Sequence, residues 1–196
     1  MPDPKKRRQK RLHKKKHVTR GFTLIELLVV IGIISLLAVM IVLAINPGEI
    51  QKKSRDAKRL SDIATMRKAI DFTITDGGGP PQGSSAVHFT ADSSGTKTTS
   101  TANNYIGLNV VKYLSILPDD PEHISGNSTL VTLSDGITKI TRDNMRYFFA
   151  SDGNFYEINA YLESSDNNET ALNDGGDSAL RYEMGTQAGL NLIVGP

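Results

Sequence analysis

The most pronounced pattern along the chain is an uncharged apolar segment that runs from Leu27 to Ile45. At about 1.5 Å rise per residue, a helix over residues 22–46 would cross the roughly 30 Å hydrocarbon layer of a bilayer. A single carboxylate, Glu26, lies near the start of this helix, where an unpartnered acid costs about 2.5 kcal/mol or more. The pattern therefore predicts a membrane-spanning helix whose glutamate needs a partner.

A second, amphipathic pattern begins after Asn46. Pro47 lacks the backbone N–H that a helix interior requires, so we expect the helix to kink or loosen there. Residues 47–76 are rich in helix-forming side chains, and the segment 77–81, with three glycines and two prolines, ends this helix. Its apolar residues recur every three or four positions and form one stripe, which we expect to carry the sheet of the head; a partner coiled coil is the alternative. The stripe consists of Leu60, Ile63, Met66, Ile70 and Ile74.

Residues 77–196 have the pattern of a small β-rich head. Residues 77–104 are dominated by Ser, Thr, Gly and Asn and predict a variable connection, and residues 105–117 predict a short helix. Two hairpins are expected between about 129 and 163. Their strands are 129–133 with 136–141, and 145–150 with 154–163.

The final strand of the second hairpin alternates in polarity. Tyr156 and Ile158 are apolar, whereas Glu157 and Asn159 are polar, which predicts one buried face and one solvent face. The remaining residues, 164–196, predict a loop and a closing strand. That strand is expected from residues 181–183 and 190–194.

Charge is distributed unevenly along the chain. Residues 1–20 hold ten of the 23 Lys and Arg residues and one of the 21 acidic residues. The rest of the chain is therefore acidic, which argues against nucleic-acid binding by the head. The basic flank before the apolar segment is expected to hold the N-terminus in the cytoplasm, with the head outside.

The junction between the basic flank and the apolar segment carries a specific motif. Gly21 to Val30 reads GFTLIELLVV, which closely resembles the prepilin cleavage and methylation motif of type IV pilins and pseudopilins. The resemblance implies that a membrane-embedded prepilin peptidase cuts between Gly21 and Phe22 and methylates the new amine of Phe22. Glycine at the cut lets the backbone approach a buried protease site without a Cβ. Residues 1–21 would then be a leader that is removed.

The resemblance also implies a role for Glu26. In the family this glutamate helps to dock a new subunit and pairs with the N-terminal amine of a neighbour in the filament. The partners implied are the prepilin peptidase and methyltransferase, other pilin subunits, a membrane platform protein and a cytoplasmic assembly ATPase.

A turn typical of the family lies at residues 117–121, which read LPDDP. The major pseudopilins of type II secretion usually follow this turn with Trp-Gly. This chain has Glu122 and His123 instead. The departure weakens an assignment to type II secretion.

An oxygen-rich loop at residues 164–177 is a candidate calcium site, because hard cations take six to eight oxygen ligands from flexible loops. Some pseudopilin heads bind calcium in this region. The alternative is an ordinary surface turn, since the spacing does not match an EF-hand. The candidate ligands are Asp166, Asn168, Asp174 and Asp177. No other cofactor is expected, and the four histidines form no catalytic set, so we expect no enzyme.

Together these patterns predict an α+β fold in which a long N-terminal α-helix packs on a small antiparallel β-sheet head. Its membrane half is 22–46 and its amphipathic half is 47–76. The predicted function is that of a structural subunit of a type IV pilus-like filament, found after assembly in an extracellular pilus. A pseudopilin of a type II secretion system, in a cell-envelope pseudopilus, is the alternative within the family. A membrane-anchored receptor or ion-binding module that never polymerises is the alternative from another class.

The motif predicts that Gly21→Leu blocks processing, because the new side chain keeps the backbone out of the protease site. Intact mass of the membrane fraction should then show a chain that retains its 21-residue leader. Gly32→Leu, the same change inside the apolar segment, is the matched control and should be processed normally. Normal processing of the Gly21 variant would contradict the assigned cleavage site.

Overall fold

The structure is a computed structural model that describes residues 21–78, 89–99 and 104–186. The predicted leader, most of the predicted variable connection and the expected strand at 190–194 lie outside these residues. The chain divides between Ile45 and Asn46 into two compact units, each of which we treat by itself.

The first unit contains helix α1, Leu24–Ala44. Its 21 residues span roughly 30 Å at about 1.5 Å per residue, which matches a bilayer core. The stretch Leu24–Val42 is long and apolar enough to cross a membrane, and none of it is buried against other described parts of the chain. The predicted membrane-spanning helix is therefore present.

The break at Pro47 is more complete than a kink. Ile45 and Asn46 both have extended backbone, so α1 ends and a new helix, α2, begins at Pro47 and runs to Thr73. Proline suits the first position of a helix because its missing N–H would have no partner there. The side chain of Asn46 caps α2 by accepting a hydrogen bond from the backbone N–H of Glu49 at 3.3 Å.

The end of α2 agrees with the sequence pattern. A single wide turn, Ile74–Gly78, follows Thr73, and Gly77 within it has a φ of 83°. Only glycine adopts this left-handed backbone without steric cost, so the helix ends where the glycines begin.

Among its described residues the head contains six strands and a short α-helix. They are β1 Phe89–Asp92, β2 Leu130–Thr132, β3 Lys139–Thr141, β4 Tyr147–Ser151, β5 Tyr156–Tyr161, α3 Asn168–Leu172 and β6 Arg181–Gly185. Four strands form an antiparallel sheet in the order β1-β4-β5-β6, and β2 pairs with β3 in a separate antiparallel hairpin. The two predicted hairpins, β2–β3 and β4–β5, are thus confirmed, as is a strand at 181–183, which pairs with β5.

The apolar stripe of α2 packs on the four-stranded sheet. Ile63, Met66 and Ile70 are fully buried in a core cluster with Phe149 of β4 and Ile158 of β5. Burying a side chain of this size stabilises the fold by about 1.5–3 kcal/mol. The expected α+β arrangement of an amphipathic helix on an antiparallel sheet is therefore confirmed for the head.

The prediction that β5 has a solvent face was wrong. All six of its residues are buried, including Glu157 and Asn159. Residues of the β2–β3 hairpin and Met145, which precedes β4, form a second apolar cluster with Tyr161 of β5. The alternation rule fails because it assumes that only one face of the sheet is covered.

Two further expectations need correction. Residues 105–117 form turns rather than a short helix, because the buried side chain of Asn104 binds the backbone of Ile106 and of Leu108. Local side-chain bonds of this kind compete with helix formation. In addition, β1 lies within the segment predicted to be a loop, paired in register from Phe89 opposite Ser151 to Asp92 opposite Phe148.

The core makes a direct prediction for Phe149, which is fully buried and stacks on Tyr156 with ring centroids 6.1 Å apart. Phe149→Ala should lower the free energy of unfolding of the head by about 3–5 kcal/mol, because it leaves a cavity. Phe72→Ala is the matched control, since Phe72 is 55% exposed, and should cost under about 1 kcal/mol. Denaturant unfolding of the full chain in micelles, followed by near-UV circular dichroism, measures both; equal losses would contradict this description of the core.

Candidate processing and assembly site

Helix α1 begins with a capping box formed by Thr23 and Glu26. The hydroxyl oxygen of Thr23 accepts a hydrogen bond from the backbone N–H of Glu26 at 3.2 Å. In return, Oε2 of Glu26 accepts from the backbone N–H of Thr23 at 2.9 Å and from its hydroxyl at 2.7 Å. The reciprocal bonds satisfy donors that the first turn of a helix otherwise leaves without partners.

The capping box gives Glu26 a partner within its own chain. The carboxylate lies in the first turn of α1, where the helix dipole also favours negative charge. Sequence reasoning identified Glu26 but missed Thr23. The signal was present, because a threonine three residues before a glutamate at the start of an apolar run is the pattern of a capping box.

Gly21 and Phe22 precede the helix and are exposed. A Cβ added to Gly21 would meet no atom within 4 Å, so the fold of this chain does not itself require glycine at this position. Phe22 is 80% exposed. Both residues are thus placed where an enzyme could reach the bond between them, and their predicted roles in cleavage and methylation stay predictions.

The surface of α1 is apolar on all sides. Every large apolar side chain described from Phe22 to Val42 is at least 44% exposed. A helix that is hydrophobic all round must be covered by lipid or by other helices. Among the described residues nothing covers it.

The four predicted calcium ligands are distributed along the loop at 164–177. Asp166 forms an ion pair with Lys53 of α2, and Asn168 begins α3. Asp174 instead accepts hydrogen bonds from the backbone N–H of Gly176 at 2.9 Å and of Glu183 at 2.6 Å. Within residues 21–78, 89–99 and 104–186, no group of three or more His, Cys, Asp or Glu side chains could hold a metal ion as arranged here. The calcium site stays a prediction.

Sequence reasoning missed a buried acidic residue beside this loop. Glu183 of β6 accepts hydrogen bonds from the side chain of Asn159 and from the backbone N–H of Ser178, both at 2.9 Å. Burial first, and then the nearby carboxylates of Glu157, Asp177 and Asp174, raise the pKa of Glu183 to about 7. Asp174 and Asp177, two of the predicted calcium ligands, therefore lie near the buried carboxylate of Glu183, which sequence reasoning did not identify.

Comparison with known families supports the interpretation of the N-terminal segment. Residues 16–42 match the family model described as the prokaryotic N-terminal methylation motif. This match confirms the resemblance found in the sequence, since the motif is the signature of type IV pilins and pseudopilins. No curated protein and no solved structure gave a significant match.

The motif and the helix that follows it indicate a class of protein. A methylation motif at the start of an exposed apolar helix supports a prepilin of the type IV pilin or pseudopilin kind, with that helix as a membrane anchor. Proteins with this motif are usually structural, and the motif implies processing by prepilin peptidase and assembly with pilin-type subunits.

The capping box predicts a local effect of Thr23→Ala. Loss of an N-cap side chain costs about 1 kcal/mol, so amide hydrogen exchange in the first turn of α1 should accelerate by roughly fivefold in micelles. Thr23→Ser keeps the hydroxyl and serves as the control, with exchange close to the unaltered protein. Equal protection in the alanine and serine variants would show that Thr23 does not cap the helix.

Proposed function

We propose that this protein is a structural subunit of a type IV pilus, assembled as a filament through α1. The observation that carries the proposal is the methylation motif placed directly at the start of an apolar helix that has no partner within the described chain. The proposed sequence of events is insertion in the membrane, cleavage between Gly21 and Phe22, methylation of Phe22 and assembly.

Assembly would transfer α1 from lipid to a core of packed helices. Its apolar side chains are covered by hydrocarbon in the membrane and by neighbouring helices in a filament, so the apolar area buried changes little. Little free energy is therefore available from burial to extract the subunit. An external motor, in this family a cytoplasmic ATPase acting through a membrane platform protein, would supply the work.

Glu26 would join neighbouring subunits in this assembly. Only its Oε2 takes part in the capping box, whereas Oε1 accepts no hydrogen bond from any residue in the described part of the chain. Cleavage before Phe22 creates a new amine, and the ammonium of one subunit could bind Oε1 of the next. Such a pair lowers the cost of placing a carboxylate among apolar helices.

The turn at residues 117–121 favours a pilus over a type II secretion pseudopilus. In place of Trp-Gly, Glu122 pairs with Arg55 at 3.1 Å and with Arg142 at 3.0 Å. His123 lies 3.1 Å from the carboxylate of Asp119. Glu122 therefore has ionic contacts, and His123 a hydrogen-bond contact, that the Trp-Gly pair typical of major pseudopilins could not make. A pseudopilin remains the alternative within the class.

The test of processing is the intact mass and N-terminal sequence of the protein from membranes of its own host. A chain that begins at Phe22 and is heavier by one methyl group is the expected result. Recovery of that chain in filaments sheared from the cell surface would support a pilus, whereas retention in the envelope would favour a pseudopilus. A chain that still carries residues 1–21 would refute the proposal and favour a non-polymerising anchored receptor.

Variants of Glu26 test the assembly step. Glu26→Leu should insert in the membrane but enter filaments roughly tenfold less than the unaltered subunit, since both the cap and the charge are lost. Glu26→Gln is the matched control, because glutamine also completes a capping box but carries no charge. A comparable defect in both variants supports ion pairing, and normal incorporation of the glutamine variant would assign Glu26 a capping role only.

A further inference from the structure

We propose that a buried ionic cluster fixes the axial position of α2 on the head. The cluster, called here the ionic lock, consists of Asp56 and Arg59 of α2, Asp120 of the turn at 117–121, and Glu163, which follows β5. It acts as a conformational device that selects one position of the helix among several with similar apolar packing.

Arg59 lies at the centre of the ionic lock and is fully buried. Its guanidinium binds Asp120 through two parallel hydrogen bonds, from Nε to Oδ2 at 2.7 Å and from Nη2 to Oδ1 at 2.9 Å. The remaining nitrogen, Nη1, lies 2.7 Å from Oδ1 of Asp56 and 2.7 Å from Oε1 of Glu163. Paired bonds of this kind fix direction as well as distance, because the guanidinium is planar.

Asp56 attaches the other side of the lock to the segment after β5. Its carboxylate accepts hydrogen bonds from the backbone N–H groups of Glu163 at 3.0 Å and of Ser164 at 2.9 Å, and from the side chain of Asn167 at 2.9 Å. One turn of α2 therefore holds two separate parts of the head, the turn at 117–121 and the segment 163–167.

The charges around the lock are nearly balanced. Arg55 of α2 donates to Glu163 from Nε at 2.9 Å and from Nη2 at 2.5 Å. Burial opposes ionisation of Glu163, but the hydrogen bond from Arg55 and the charge of Arg59 outweigh it and lower the pKa of Glu163. Glu163 is thus held as an anion, and its charge depends on the positions of the two cations on α2.

The apolar stripe alone specifies this position poorly. Ile63, Met66, Ile70 and Ile74 follow one another at spacings of three and four residues. A slip of α2 by one turn, about 5.4 Å, would bring each apolar side chain close to the place of the next. Hydrophobic burial has no directional preference, so it distinguishes such positions weakly.

The ionic lock, by contrast, strongly favours the observed position of α2 over positions displaced by one turn. A displacement of about 5.4 Å separates the guanidinium of Arg59 from Asp120, and it separates the carboxylate of Asp56 from the backbone N–H groups after β5, which leaves buried polar groups without their partners and is highly unfavourable. Two tyrosines of the sheet also restrict the axial position of α2, through hydrogen bonds further along the helix. The hydroxyl of Tyr147 donates to Asp62 at 2.8 Å, and that of Tyr156 donates to Asp71 at 2.5 Å.

Selection of position is a different role from stabilisation. Replacing a buried ion pair by uncharged side chains is often neutral or stabilising, whereas removing one partner alone is destabilising. The test variant therefore combines Arg59→Met with Asp120→Asn, which removes one charge of each sign and keeps an acceptor for the backbone N–H of Glu122. Asp120 accepts that bond at 2.8 Å.

Spin-label distances in the full chain in micelles provide the measurement. The chain has no cysteine, so labels can be placed at introduced cysteines alone. The pairs are Lys58→Cys with Lys139→Cys, and Lys68→Cys with Lys139→Cys, all at exposed positions. In the protein with the unaltered ionic lock, each pair of labels should give one narrow distribution of distances. In the double variant each pair should show a second group of distances, which differs from the first by up to about 5 Å.

The outcomes separate the roles of the ionic lock. A folded double variant with a second distance supports the proposal, and a folded double variant with the original narrow distances overturns it. A double variant that does not fold also overturns it, since the lock would then stabilise the head rather than select a position. Arg67→Met, the same change two turns later at an exposed arginine, is the control and should leave both distances unchanged.

Discussion

The apolar surface of α1 is the constraint on which the rest of the molecule depends. A helix of 21 residues with no covered face cannot be stable in water, and no described part of the chain shields it. Lipid or other helices must do so. The capping box of Thr23 and Glu26 is consistent with this environment, because it satisfies two backbone donors of the first turn and keeps one carboxylate oxygen available to a neighbouring subunit.

The head differs from α1 because it buries charged side chains as well as apolar ones. Arg59, Asp56 and Glu163 lie in its interior, where an isolated charge would be very costly. Each is tolerated because it has ionic partners and hydrogen bonds with good geometry. The apolar core thus supplies most of the stabilisation. The buried charges instead restrict how α2 packs against the turn at 117–121 and the segment after β5.

Periodicity in the sequence predicted the elements whose partners are local. Both helices, the break at Pro47 and two hairpins could be found from spacing and turn residues, and the motif at Gly21 and Phe22 identified the candidate site. The capping residue Thr23 could also have been found. Burial of both faces of β5 could not, because Glu157 and Asn159 look like surface residues until a second layer covers them.

The ionic lock lies beyond sequence reasoning for a related reason. Asp120 is 61 positions from Arg59, and Ser164 is 108 positions from Asp56. No local pattern marks these residues as neighbours. A mixture of charges on α2 looks like a solvated helix face, and only the tertiary structure shows that one turn of it is buried.

The same sequence separations set the order in which the protein can mature. Ribosomes make α2 early, but Asp56 acquires its partners only when residues 163–167 have been synthesised. Until then the charged turn of α2 remains hydrated and the helix is free to move along the growing head. A nascent chain that ends before residue 163 therefore lacks the contacts that fix α2 on the head.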